Sequence, residues 1–211
     1  MLFLTVNSLK EGRENLYNPR IDGIELRLDR FETIDFTALS ALLLGSPLPF
    51  LFTLRKSKEG GKFFGSEEER FVLIEQLMQL KPSFFDLEYD IPAFFLKKMR
   101  KNHPSVKLIL SYHNFENTVD VEKQLAKMSS PHAFAYKIAC HAPSSLDALQ
   151  MCASIKDNNV AVLGMGKLGE ITRILSPITG NCFNYASRAE DLSPARQLPV
   201  SFLDQVYNYT T

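Results

Sequence analysis

Lys137 is the residue in this chain best suited to bond covalently with a substrate. It lies in Ala133-Phe134-Ala135-Tyr136-Lys137-Ile138-Ala139-Cys140, whose other members have the character of a buried strand. Burying an ammonium costs several kcal/mol unless it is paired or neutralised. An amine stripped of water loses its proton more readily, and a neutral lysine attacks carbonyl carbon to form an imine. The segment alone is served at least as well by a lysine near the strand end whose aliphatic stem reaches water.

Other strand-like runs also carry charge. In Gly23-Ile24-Glu25-Leu26-Arg27-Leu28-Asp29 the charged residues fall at every second position and share one face of a strand. Arg55 closes Phe50-Leu51-Phe52-Thr53-Leu54, Asp86 and Glu88 flank Leu87, and His113 follows Ser111-Tyr112. Each alone is as well explained by a structural salt bridge or a satisfied core histidine. Arg55, His113 and Lys137 all stand at strand ends, however, and their convergence on one rim would make a site.

The elements that must hold them alternate. Strands are expected at 2–6, 23–29, 49–54, 84–90, 106–113, 133–140, 160–164 and 182–187. Helices are expected at 36–45, 66–80, 92–102, 116–130, 144–155, 167–176 and 199–207, with a weakly helical first crossover at 8–22. Ser66 and Glu69 form a capping-box pattern at the clearest helix. Alternating strands and helices imply a parallel sheet, and eight such units imply a closed (β/α)8 TIM barrel of the α/β class. An open doubly wound sheet is the alternative. In a barrel the outer face is covered by helices, so strand charges must point into the lumen, near the C-terminal mouth where active sites lie. Nothing divides the chain, so residues 1–211 are expected to form a single domain.

Gly164-Met165-Gly166-Lys167-Leu168-Gly169 matches a dinucleotide-binding fingerprint. Only one further strand–helix unit follows it, and the next strand ends at Ser187-Arg188 without an acidic residue for a ribose. A nucleotide cofactor is therefore not expected, although the turn could receive an anion, with Arg173 nearby.

Lys+Arg and Asp+Glu both number 24 in 211 residues, so no excess positive charge draws nucleic acid or an anionic membrane. Three widely spaced cysteines, Cys140, Cys152 and Cys182, suggest buried free thiols in a reducing compartment. There is no CxxC pair or HExxH helix to hold a metal. The opening Met1-Leu2-Phe3-Leu4-Thr5-Val6 lacks the basic lead of a signal peptide, and no apolar run approaches a membrane span of about 18 residues. A cytoplasmic, soluble chain is expected.

Five motifs occur in order: Glu25-Leu26-Arg27-Leu28-Asp29, Thr53-Leu54-Arg55-Lys56-Ser57-Lys58-Glu59-Gly60-Gly61, Ser111-Tyr112-His113-Asn114-Phe115, Lys137-Ile138-Ala139, and Met165-Gly166-Lys167-Leu168-Gly169-Glu170-Ile171-Thr172-Arg173. Over almost the whole chain this set closely resembles type I 3-dehydroquinate dehydratase, a lyase of the shikimate pathway of aromatic amino acid (chorismate) biosynthesis. The resemblance implies an eight-stranded α/β barrel with no metal and no organic cofactor. It implies that Lys137 forms a Schiff base with the C3 ketone of 3-dehydroquinate. His113 would take the C2 proton and then protonate the departing C1 hydroxyl, a syn loss of water giving 3-dehydroshikimate. Glu59 matches the carboxylate that orients this histidine, and Arg173 the arginine that binds the substrate carboxylate. Glu25, Arg27 and Arg55 match residues that contact ring hydroxyls or hold the lysine's surroundings. Ser193 and Gln197 keep the serine-to-glutamine spacing of the last loop, but Arg196 stands where family members commonly have glycine. A homodimer, and fusion or association with shikimate dehydrogenase, are compatible with the resemblance.

Elementary chemistry agrees with these roles. A lysine near Arg and His charges in a dry lumen is expected to be pushed toward neutrality, and a histidine can serve as both base and acid. Two readings compete: another imine-forming barrel of the class I aldolase type, and a non-catalytic barrel that binds a metabolite.

Overall fold

The structure is a computed structural model that describes residues 1–189 and 195–208. Eight parallel strands form one sheet in the order β7-β6-β5-β4-β3-β2-β1-β8. They are β1 (Leu2–Val6), β2 (Gly23–Arg27), β3 (Phe50–Thr53), β4 (Phe84–Glu88), β5 (Lys107–Asn114), β6 (Ala135–His141), β7 (Val160–Met165) and β8 (Asn184–Ala186). The helices among the described residues are α1 (Leu9–Glu14), α2 (Phe36–Leu44), α3 (Glu67–Met78), α4 (Ala93–Asn102), α5 (Val121–Met128), α6 (Ser145–Ala153), α7 (Ile171–Ile174), α8 (Ser176–Thr179) and α9 (Val200–Asn208).

Strand alternation sorts the apolar side chains into two cores. Leu4, Ile24, Phe52, Phe85, Leu110, Ile138 and Val162 pack outward against the helices. Phe3, Leu51, Phe84, Ile109, Ala135, Ala161 and Tyr185 fill the lumen. Phe3, Phe84 and Phe183 stack edge-on or tilted with ring centroids 5.6–5.7 Å apart. These rings plug the N-terminal end of the barrel, and the polar lumen residues therefore gather at the opposite mouth.

Between β7 and β8 the barrel is joined by the residues that lead into β8. The Cys182 amide donates to Val160 O at 3.0 Å. The side-chain amide of Asn181 accepts the Val162 N–H at 2.6 Å and donates to Val162 O at 3.2 Å. A side chain thus does the work of a strand residue, which is why β8 is shorter than the expected 182–187.

Helix starts follow their caps. Ser66 and Glu69 form the expected capping box at α3, and Ser8, Asp35, Asp120 and Ser144 cap α1, α2, α5 and α6. Several expected boundaries move, three of them with an evident cause. Strand β2 stops at Arg27, and Asp29 enters a 3₁₀ turn at Leu28–Arg30, so Asp29 does not share the strand face of Glu25. Strand β5 runs on to Asn114, whose side chain then accepts the amides of Glu116 and Asn117 at 3.0 Å, and the helix waits until Asp120 can cap it. The helix expected at 167–176 divides into a 3₁₀ turn, α7 and α8. Its cause is the close approach of Gly164 and Gly169. A Cβ on Gly169 would lie 2.5 Å from the Gly164 carbonyl carbon. The fingerprint glycines therefore serve backbone packing, and α8 starts afresh with Pro177 in its first turn.

The three cysteines are unpaired, Cys140 and Cys152 buried and Cys182 partly exposed. No helix among the described residues is long and apolar enough to cross a membrane.

Candidate active site

At the C-terminal mouth lies a cavity of about 330 Å³. Glu25, Arg27, Arg55, Glu59, His113, Lys137, Arg173 and Gln197 all line it. Ser193, the remaining residue expected there, lies outside the described residues.

Lys137 points inward from β6 and is 5% exposed. Its Nζ donates to Asp86 Oδ2 at 2.7 Å and stands 4.6 Å from the centroid of the Tyr185 ring. Sequence reasoning expected arginine and histidine charges to leave this amine neutral. The group that meets it at hydrogen-bond distance is a carboxylate, which that expectation did not include. Asp86 also pairs with Arg55 Nη2 at 2.6 Å and accepts from Ser111 Oγ at 2.5 Å. Burial opposes its ionisation, but Arg55, Lys137 and His113 outweigh burial and hold Asp86 well below the usual carboxylate range.

Arg55 is braced in turn. Its Nη1 donates to Ser111 Oγ at 2.7 Å and lies 3.4 Å from Glu88 Oε1. Glu88 is pinned by Arg70 of α3 at 2.5 Å and by the Lys56 amide at 3.1 Å. Arg70 is fully buried. Opposite charges therefore alternate from Arg70 through Glu88, Arg55 and Asp86 to Lys137. No member of this series lacks a counter-charge, which is the condition for burying ions.

His113 ends β5 with Nδ1 2.8 Å from Glu59 Oε2. Burial and the charges of Arg55 and Lys137 push the imidazole well below its ordinary value, so it stands as a neutral base. Burial raises Glu59, Arg55 pulls it down and Glu88 raises it again; the result is a carboxyl pushed up to about 7. A neutral imidazole that donates Nδ1–H to ionised Glu59 keeps the lone pair of Nε2 for another partner. The loop presenting Glu59 needs both glycines after it. Gly60 has φ +76° with Phe115 against it, and a Cβ on Gly61 would lie 1.9 Å from Arg55 O. Phe115 in turn stacks over the His113 ring at 6.4 Å.

Glu25 accepts the hydroxyls of Thr5 at 2.7 Å and Thr53 at 2.8 Å. Arg27 pairs with Asp29 through two hydrogen bonds of 3.0 and 2.9 Å, and Asp29 also holds the Lys62 amide at 3.0 Å, tying the Gly60-Gly61 loop to β2. Arg173 is aimed inward by the glycine contact. Thr172 Oγ1 accepts the Gly164 amide and donates to Gly169 O, both at 2.8 Å. The Arg173 guanidinium donates to Ala195 O at 2.9 Å and Tyr185 O at 3.3 Å. Arg196 adopts φ +45°, a conformation glycine takes freely, and Glu170 holds its Nε at 2.7 Å. Gln197 is anchored through its carbonyl, which accepts from Ser187 Oγ at 3.0 Å.

Sequence reasoning gave no site role to Asp86, Ser111 or Tyr185. The inward parity of Asp86 and Ser111 was a usable signal; Tyr185 could not be told from a core aromatic.

An amine, a histidine–carboxylate pair and several guanidinium groups around one cavity suit proton transfer next to an imine of an anionic, hydroxylated substrate. The model of the family described as type I 3-dehydroquinase matches residues 1–211. The chain belongs to the type I 3-dehydroquinase family. A relative from Dehalococcoides mccartyi, called 3-dehydroquinate dehydratase, is 34% identical over 168 residues, covering 75% of this chain and 74% of its own. The bifunctional 3-dehydroquinate dehydratase/shikimate dehydrogenase of Arabidopsis thaliana is 30% identical, over 89% of this chain and 32% of its own length. The crystal structure of the 3-dehydroquinate dehydratase from Aquifex aeolicus superposes with a TM-score of 0.82 at 23% identity, covering 99% of this chain and 98% of that one. The barrel is thus the fold of that family's solved structures.

Proposed function

We propose that this chain dehydrates 3-dehydroquinate to 3-dehydroshikimate through a Schiff base on Lys137, as one catalytic domain spanning residues 1–211. The observation that carries the reading is the meeting of Lys137, the His113–Glu59 pair and Arg173 in one cavity of a chain from this family.

Lys137 first gives up a proton, for which neutral His113 is the base at hand. The free amine adds to the C3 ketone, and loss of water leaves a cationic iminium. His113 then takes the C2 proton, and the C–H electron pair moves toward nitrogen, giving a neutral enamine. The enamine pushes out the C1 hydroxyl, which leaves as water with the proton held by His113. Water hydrolyses the conjugated iminium, releasing the enone and restoring the lysine. Glu59 fixes the tautomer of His113 through both transfers. Arg173 takes the substrate carboxylate, and Glu25, Arg27, Arg55, Ser193 and Gln197 take the hydroxyls or hold the lysine's surroundings. Asp86 serves as counter-ion to the nitrogen whenever it is positive.

The reaction joins an isolated ketone to a new C=C bond, so purified protein and 3-dehydroquinate should develop the ultraviolet absorbance of a conjugated enone. Lys137→Ala should abolish it. No absorbance from the parent protein, or full absorbance from Lys137→Ala, would overturn the assignment. A class I aldolase-type barrel would instead cleave carbon–carbon bonds of sugar phosphates, for which the His113–Glu59 pair has no evident use. The Arabidopsis relative suggests pairing with a shikimate dehydrogenase activity, by fusion or association. A homodimer in the cytoplasm belongs to the same proposal, tested by sedimentation and cell fractionation.

A further inference from the structure

Tyr185 presents its ring to the proposed nucleophile. Its ring face lies under Lys137, with Nζ 4.6 Å from the centroid, and Asp86 Oδ2 bonds the same nitrogen at 2.7 Å. Both residues are 2% exposed. The ring is itself held in place: it stacks on Phe3 at 5.9 Å, and the Tyr185 amide donates to Asn184 Oδ1 at 2.9 Å. Its phenol oxygen is buried and has no hydrogen-bond partner among the described residues. The hydroxyl therefore does not explain why an aromatic ring stands here, whereas the ring face does.

An aromatic face attracts a cation through its quadrupole, and the attraction grows when water is excluded. Nitrogen in the proposed reaction is positive in the ammonium and in both iminium species, and neutral in the carbinolamine and the enamine. A face fixed below Nζ therefore discriminates among intermediates by charge. We propose that Tyr185 is a catalytic residue acting through its ring, a platform that with Asp86 holds the Lys137 nitrogen in its cationic form and favours the iminium over the neutral carbinolamine. The free-enzyme ammonium feels the same attraction, so the net conversion of ammonium to iminium is left nearly unchanged, and the effect falls on the balance of each cation against the neutral carbinolamine and enamine. This inference rests on the imine reading above.

The test replaces Tyr185 with phenylalanine and with mono-, di- and trifluorophenylalanine, which keep the ring's shape while draining its face of negative charge. Each protein is mixed with 3-dehydroshikimate over a series of pH values and treated with cyanoborohydride, which reduces the cationic iminium and not the carbinolamine, and the alkaline pH at which the reduced adduct falls to half its plateau is read by mass. Tyr185→Phe should keep the parent's alkaline midpoint to within about half a pH unit, because it loses only an unpaired hydroxyl. The midpoint should then fall stepwise with fluorine number, by about one pH unit at three fluorines, a tenfold shift toward the neutral forms and the scale expected for a desolvated cation on an aromatic face. A midpoint that is the same across the fluorinated series would overturn the platform. If the parent protein itself forms no adduct, the imine reading fails instead, and the two failures are separated by that control.

Discussion

Asp86 Oδ2 lies 2.7 Å from Lys137 Nζ, although the two residues sit on strands separated by β5. The buried lysine thus has a fixed carboxylate partner, and that carboxylate is shared with Arg55. Asp86→Asn would leave two buried cations facing a neutral amide. Removing one partner of a buried ion pair costs about 3–5 kcal/mol. The variant should show a lower midpoint in urea, and a loss of imine with substrate that exceeds the loss of substrate binding. Unchanged stability would mean that water already screens this pair.

The His113–Glu59 contact predicts a pH dependence. Glu59 ionises near pH 7. Above that value its carboxylate takes the Nδ1–H of His113, and Nε2 is the base. Below it the protonated carboxyl donates to Nδ1, the ring proton moves to Nε2, and the base is lost. The kcat/KM of the parent should rise with pH through about 7, and Glu59→Gln should lack that inflection. An identical inflection in Glu59→Gln would assign the titration elsewhere.

The same shift bears on stability, with a definite sign. The folded chain binds the Glu59 proton more tightly than a free carboxyl of value 4.5 does. Its contribution is therefore fully present below about 4.5 and is lost as pH rises to about 7. Relative to the parent, Glu59→Gln should gain stability between pH 4.5 and pH 8, read as the difference in urea midpoints. A gap between the two proteins that does not vary with pH would contradict this.

Gly169 makes a prediction about the frame of the site. A Cβ there meets the Gly164 backbone at 2.5 Å, which neither residue can relieve by rotating a side chain. Gly169→Ala should destabilise the fold by about 1–3 kcal/mol. It should also raise KM more than it lowers kcat, because Thr172 and Arg173 shift together. An alanine variant with parent-like melting temperature and KM would show that the turn can yield.

Much of this arrangement is legible in the residues themselves. The parity of Glu25, Thr53, Ser111 and Lys137 assigns each to the lumen as soon as a parallel barrel is assumed, because outward positions are taken by Ile24, Phe52, Leu110 and Ile138. What the residues cannot reveal is which lumen charges meet. Strand register aligns Lys137 with Ser111 and Ser111 with Glu88, so register alone points to Glu88 as the lysine's partner. The stagger of a closed barrel brings Asp86 to it instead, and Arg70, on a helix outside the barrel, takes Glu88. The broken helix at 167–176 has a similar origin. Its pattern is helical, but a backbone contact between Gly164 and Gly169, visible only in three dimensions, ends it early.

The central claim is that Lys137 bonds covalently to the substrate. Borohydride added to the protein during turnover of 3-dehydroquinate should leave a reduced adduct on the peptide containing Lys137, with activity lost in proportion, and Lys137→Ala should acquire none. Continued turnover with no adduct on that peptide would contradict the account.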